Sequence, residues 1–323
     1  MKRSLALSPL AALVVLPAVL TAAPAHALGD AFTCTAVTYQ VVGNQLKIGT
    51  VNTSASPASL TYTDVGTAHS VSYNAGGYNT VDNFIYAMSG LDELLKIASD
   101  GTLEANSVTG FGGDPSFVAG DVSTDGQSLI AFDYSDSSVW SIDLDSFVAT
   151  EIGSLATAMP PVDVGDFAIV TDGGTTTAYG LDTSSGMLVS FDPTENPISV
   201  NVNASVEIGA GSAKGAVWAD ASGNLTTFVN GTGDVYSIKN PSSGSPTVKK
   251  VASGSSAMGN DGMKCALAAS AFPDSTEPKE ELAKTGVSTF DFWSALSGGV
   301  ALLTAGTLGH LARRRRGFPN SWR

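Results

Sequence analysis

A unit of roughly 45 residues recurs along this chain, and it constrains the fold more tightly than any other feature of the sequence. Its clearest mark is a short apolar strand following a polar turn. The copies are Leu46-Lys47-Ile48, Leu94-Leu95-Lys96-Ile97, Val139-Trp140-Ser141-Ile142, Leu188-Val189-Ser190-Phe191 and Val235-Tyr236-Ser237-Ile238. With Leu46, Leu95, Val139, Leu188 and Val235 taken as equivalent, the spacings are 49, 44, 49 and 47 residues. A second mark precedes four of these, a turn pair leading into another apolar strand. Asp82-Asn83 precedes Phe84-Ile85-Tyr86-Ala87, and Asp125-Gly126 precedes Leu129-Ile130-Ala131-Phe132. Asp172-Gly173 precedes Ala178-Tyr179-Gly180-Leu181, and Gly223-Asn224 leads into Leu225-Thr226-Thr227-Phe228. Gly and Asn suit such turns because they tolerate positive φ.

The two ends of the array are incomplete in opposite ways. Asp261-Gly262-Met263-Lys264-Cys265-Ala266-Leu267 reads as an early strand with no late strand after it. Leu46-Lys47-Ile48 is a late strand with no early strand before it. Joining them makes one complete unit from both termini, which is how a ring of repeats closes when no unit can bury its faces alone. The expectation is an all-β fold: a β-propeller of five blades, with six as the alternative count, closed by pairing of N- and C-terminal strands. A β-sandwich or a solenoid is the competing architecture. Residues 91–97 also carry helical spacing, and the repeat overrides it in favour of a strand.

The ends of the chain carry processing signals. Lys2 and Arg3, an apolar stretch from Leu5 to Leu20 and the small-residue run to Ala25-His26-Ala27 form a signal-peptide pattern over residues 1–27. The domain is expected over residues 28–270, followed by a polar spacer at 271–281 and the pentapeptide Leu282-Ala283-Lys284-Thr285-Gly286. Residues 292–312 are apolar enough for a transmembrane helix in the precursor. Arg313, Arg314, Arg315 and Arg316 then open a basic tail, 313–323, that holds this end in the cytoplasm as a stop-transfer signal.

Pentapeptide, span and arginines together resemble the sorting signal of Gram-positive wall proteins, the substrates of sortases. Alanine stands second where the common pattern has proline, which resembles the variant read by an actinobacterial sortase class. The resemblance implies that a sortase cysteine attacks the Thr285 carbonyl and expels the Gly286 amine, and that an amine of a peptidoglycan precursor resolves the acyl-enzyme. The product is then secreted and covalently attached to the cell wall, with membrane contact only before sorting. The competing reading is a structural surface protein held by a plain membrane anchor. The repeat region also resembles a propeller-like domain of actinobacterial surface proteins, most closely around Asn260-Asp261-Gly262 and Cys265.

Between residues 28 and 285 stand nine lysines and 29 acidic residues, a net charge of −20. Such a domain repels nucleic acid and anionic membrane. Cys34 and Cys265, the chain's two cysteines, lie near opposite ends of the domain. Export permits their pairing, and closing so long a loop is worth up to about 5 kcal/mol of chain entropy. Two buried free thiols are the alternative.

Catalytic patterns are mostly missing. His69 is the one histidine between residues 28 and 285, too few for a zinc or copper centre, and it reads as a strand-end residue. Gly110-Phe111-Gly112-Gly113 lacks the lysine and helix of a phosphate loop. Asp133, Asp136, Asp143 and Asp145 gather around one expected hairpin. They offer oxygen ligands for Ca²⁺, but their spacing fits turn chemistry better, so no cofactor is expected. Trp140, Trp218, Tyr86, Tyr179, Tyr236 and Phe228 recur on expected strands, either as a carbohydrate-stacking face or, the favoured reading, as packing between blades. No catalytic residue is assigned.

The expected role is a non-enzymatic binding or adhesion module for an extracellular ligand. The alternative is a secreted propeller hydrolase or lyase using carboxylates, with or without Ca²⁺. An enzyme should converge several acids at the central channel; a binding module should expose an aromatic or polar patch at one rim.

Overall fold

The computed structural model describes residues 27–272, apart from 91, 159 and 160. Most of the signal segment, and the spacer from 273 onward with the sorting motif, span and arginines, lie outside the described residues. Among the described residues the fold is all-β; the one helical element is a single 3-10 turn at Leu155–Thr157.

Strands β1 (Thr38–Val42), β2 (Gln45–Asn52) and β3 (Ala58–Asp64) form an antiparallel meander. Three four-stranded antiparallel sheets follow. The first is β4 (Tyr73–Tyr78), β5 (Ile85–Ser89), β6 (Glu93–Ile97) and β7 (Leu103–Ser107). The second is β8 (Phe117–Val122), β9 (Ser128–Asp133), β10 (Ser138–Asp143) and β11 (Ala149–Ser154). The third is β12 (Val164–Asp172), β13 (Thr175–Asp182), β14 (Met187–Phe191) and β15 (Val200–Glu207). A further meander, β16 (Ala216–Ala219), β17 (Leu225–Val229), β18 (Asp234–Lys239) and β19 (Thr247–Ser253), touches β3 through a short parallel pairing of Ala252 with Ala58 and Ser253 with Ser59. The last strand, β20 (Asn260–Lys264), pairs antiparallel with β1, setting Val41 opposite Asp261 and Tyr39 opposite Met263.

Burial falls from the first strand of each meander to the fourth. Every residue of β16 and β17 is buried, while β19 is largely exposed until Val251. Strands covered on both faces read as continuous apolar runs, as in Ile85–Ser89, because neither face meets water. The helical spacing around 91–97 loses to this environment, and Glu93–Ile97 is a strand with Leu94, Leu95 and Ile97 buried.

Both faces of each sheet are covered because the apolar clusters alternate with the sheets. Tyr39, Val41 and Met263 pack with Tyr73, Ile85 and Leu95 of the next sheet. Met88 and Leu94 pack with Leu129 and Trp140. Phe132 and Val139 meet Phe167 and Val189, and Leu181 and Leu188 meet Val217 and Leu225. Trp218 and Phe228 then pack on Ala58 and Leu60, back at the sheet that holds β1. The recurring aromatics are spent here: Trp140, Trp218, Tyr86, Tyr179 and Phe228 are buried, and Tyr236 is half-buried.

One element differs from the sequence reading. The turn pattern sets the segment around Asp261 beside Phe84-Ile85-Tyr86-Ala87 as an early strand, the second of its sheet. It is instead a first strand, with β1 as the second strand of its sheet and β2, carrying Leu46, as the third. The repeat therefore has four strands, and the two that sequence marks are the middle pair.

Cys34 and Cys265 form a disulfide, with Cα atoms 5.3 Å apart, joining the segment before β1 to the segment after β20. Lys264 reinforces the same corner. Its buried ammonium donates to the carbonyls of Ala219 at 3.3 Å, Cys265 at 3.0 Å and Ala268 at 2.9 Å.

Candidate functional site

The first strands β4, β8, β12, β16 and β20 neighbour one another in that order, and β20 neighbours β4. They are held together by carboxylates. Asp121 on β8 accepts from the Ile169 amide on β12 at 2.8 Å. Asp166 on β12 accepts from the Val217 amide on β16 at 2.6 Å and from the Gly262 amide on β20 at 3.1 Å. Asp261 on β20 accepts from the Gly76 amide on β4. Between β4 and β8 no carboxylate is needed, because the backbones nearly touch. A Cβ on Gly77 would strike the Val122 amide, and one on Gly120 would lie 2.6 Å from the Ala75 carbonyl oxygen.

Burial dominates the electrostatics of this belt. It pushes Asp121 up to about 7, against two backbone hydrogen bonds that favour the charged form. Asp166 and Asp261 are fully buried and close enough to share a proton. Burial raises both well above the usual carboxylate range; the charge of Asp261 raises Asp166 further, and that of Asp121 adds to the rise at Asp261. A hydrogen bond between the two carboxyls raises Asp166 and opposes the rise at Asp261, so a proton shared by the pair sits on Asp166, which donates to Asp261.

A cavity lies at each end of these five strands. One, of about 240 Å³, is lined by Tyr78, Asp121, Thr171, Asp220, Lys264 and Leu267 at the finishing ends. Burial lowers Lys264 to about 8, with Asp220 opposing, but its ammonium is turned into backbone carbonyls. The other, of about 360 Å³, lies at the starting ends and is lined by Asn74, Tyr134, Asp163, Thr183, Asn230 and Asn260. It is rich in carboxamides whose hydrogen bonding is incomplete. Asn260 is 2% exposed, and both polar atoms of its side chain are buried without a partner. The Asn74 Oδ1 is likewise unmet, while Asn230 accepts from the Gly215 amide at 3.1 Å. A buried unpaired group costs about 1–3 kcal/mol, and Asn74 and Asn260 carry such groups beside this cavity. Burial also raises Asp163, against a hydrogen bond from Thr183 at 3.3 Å.

Residues singled out from sequence fall elsewhere. Asp133 accepts from the Ser116 and Ser135 amides, Asp136 from Ser138, and Asp143 from Asp145 and Ser146, all within or beside turns. Among the described residues no group of three or more His, Cys, Asp or Glu is placed to hold a metal. His69 sits at a loop, with Nε2 3.1 Å from the Gly101 carbonyl oxygen and its ring 5.8 Å from Tyr73. A larger groove of about 690 Å³ runs past Tyr179, Asp192, Glu195 and Asn203, away from the first strands. The belt aspartates escape a motif search because Asp121 and Asp166 each stand singly after a glycine and Asp261 opens the segment read as an early strand. Their signal was the repeat itself: Gly120-Asp121 and Gly165-Asp166 stand 45 residues apart.

The model of a family described as "Repeat of unknown function (DUF6923)" matches residues 37–267. No curated protein matches the chain. Among solved structures, a streptogramin B lyase is similar at 15% identity and a TM-score of 0.37, over 65% of this chain and 62% of that one. A catalytically inactive virginiamycin B lyase from Staphylococcus aureus with quinupristin is similar at 11% identity and 0.38, over 65% and 63%. A chain of a nidogen/laminin complex is similar at 9% identity and 0.44, over 72% and 98%. This chain thus spans about three-fifths of the length of the lyases. At such distances these likenesses carry neither activity nor ligand.

Proposed function

The chain belongs to the DUF6923 repeat family, and from that premise we propose that its repeats form a closed five-bladed β-propeller displayed as a binding module on a Gram-positive cell wall. The pairing of β1 with β20 supports closure, since the first and last strands then complete one four-stranded blade. The observation that carries the display reading is the Cys34–Cys265 disulfide. Such bonds persist in oxidising compartments outside the cytoplasm, which agrees with residues 1–27 as a cleaved signal. Residues 282–286, 292–312 and 313–316 then act in sequence as sortase substrate, membrane stop and cytoplasmic lock. A sortase transfers the Thr285 carbonyl from Gly286 to a peptidoglycan amine.

Mass spectrometry of muramidase-released wall fragments tests this. The expected product is a peptide ending at Thr285 and bearing a peptidoglycan remnant, and Thr285→Ala should abolish it. Wall linkage that survives Thr285→Ala would refute the sorting assignment.

The convergence of Asp121, Asp166 and Asp261 favours a second reading, a carboxylate-dependent hydrolase or lyase. Against it, these carboxylates accept hydrogen bonds from backbone amides of the first strands. Turnover of a glycoside or ester that disappears in Asp166→Asn, in a chain of unchanged melting temperature, would establish it.

A further inference from the structure

We propose that the cavity at the Asn74 end of the first strands is a saccharide site that seats one neutral pyranose ring against Tyr134; this deepens, and rests on, the reading of the domain as a binding module. Among the described residues the exposed large apolar side chains do not share one face, and Val148 and Val202 line neither cavity. Tyr134, 59% exposed, lines the larger cavity, and Met258, 87% exposed, stands beside its Gly259. Leu267, 68% exposed, lines the smaller one. The larger cavity reaches the roughly 300–1,000 Å³ of small-ligand sites, and the smaller does not.

The lining selects the chemistry. Among the described residues no lysine, arginine or histidine lines the larger cavity, so no cationic side chain there meets a phosphate, sulfate or carboxylate. One carboxylate, Asp163, lines it, too few for a calcium site of six or more oxygen ligands. The remaining polar groups are the carboxamides of Asn74, Asn230 and Asn260 and the hydroxyls of Thr183 and Tyr134. A carboxamide both donates and accepts, as a sugar hydroxyl does. Asn74 and Asn260 line the cavity and carry unmet atoms of both roles, an Nδ2 donor and Oδ1 acceptors. An exposed tyrosine ring beside such groups offers its apolar face to the C–H side of a pyranose, with its hydroxyl free to bond.

The test is ligand-observed NMR on the full chain with three probes: methyl β-D-glucopyranoside, methyl β-D-galactopyranoside and N-acetylglucosamine. At least one should bind. Tyr134→Ala should weaken it about five- to tenfold, the scale of a lost ring contact. Asn74→Ala should weaken it similarly, and Leu267→Ser at the opposite cavity should leave it unchanged, with melting temperatures recorded for each variant. Absence of binding by all three probes overturns the proposal. So does binding that survives Tyr134→Ala but is lost in Leu267→Ser. A chain that binds no sugar yet carries its peptidoglycan remnant loses the ligand and keeps the display; a chain without the remnant loses the display whatever it binds.

Discussion

Asp121 ties protonation to stability. In the unfolded chain its carboxyl titrates near about 3.9, and in the folded domain at about 7. The folded state therefore holds an extra proton across that window, so stability is highest below about pH 4 as far as this group is concerned and falls as pH rises toward 7. Between pH 5 and pH 7.5 the loss from Asp121 alone is about 2 kcal/mol. Asp166 and Asp261 are shifted in the same direction and add to it. Lys214 and Lys264 are lowered to about 8 by burial; their cost is constant below that pH and is relieved only above it, so they do not oppose the trend. Thermal melts should therefore show a higher midpoint at pH 5 than at pH 7.5, and Asp121→Asn should flatten the difference. Equal midpoints in the unmodified chain would remove the raised carboxyls from the account.

The strands differ in how plainly the sequence announced them, and packing explains why. The middle strands of each sheet follow Asp or Gly turn pairs and are apolar, so their period survives in the sequence. The fourth strands, such as Leu103-Glu104-Ala105-Asn106-Ser107, are half-exposed and read as loop. The first strands are hidden for the opposite reason. Tyr73-Asn74-Ala75-Gly76-Gly77-Tyr78 has no alternation, because Gly77 answers to the backbone of β8 and Gly76 to Met263 and Asp261 of β20 and the Tyr86 carbonyl of β5. Since the first strands line both cavities, the site was less legible than the fold. The close approach is itself testable. Gly77→Ala drives a methyl into the Val122 amide and should cost about 1–3 kcal/mol. Gly90→Ala, where no atom lies within 4 Å and φ is ordinary, should be nearly neutral. Urea denaturation of the two variants checks this; equal midpoints would mean that β4 and β8 can separate without penalty.

At the scale of the whole domain, the first and last strands share one sheet, and the bond between Cys34 and Cys265 secures that junction. Cys34→Ser should lower the stability of the oxidised domain by about 2–4 kcal/mol, read from denaturant midpoints with and without reductant. Reductant should shift the unmodified chain and leave Cys34→Ser unchanged; a shift in both would place the effect elsewhere. The same sulfur link also decides how the domain meets mechanical load. The chain runs on past Cys265 and Phe272 toward its C-terminus. A tug on that end, countered by drag on residues before Cys34, passes directly from one cysteine to the other. The stretch between them, whose ends are 231 positions apart, stays slack, so shear flow should be unable to unravel the strands one after another while the bridge is intact.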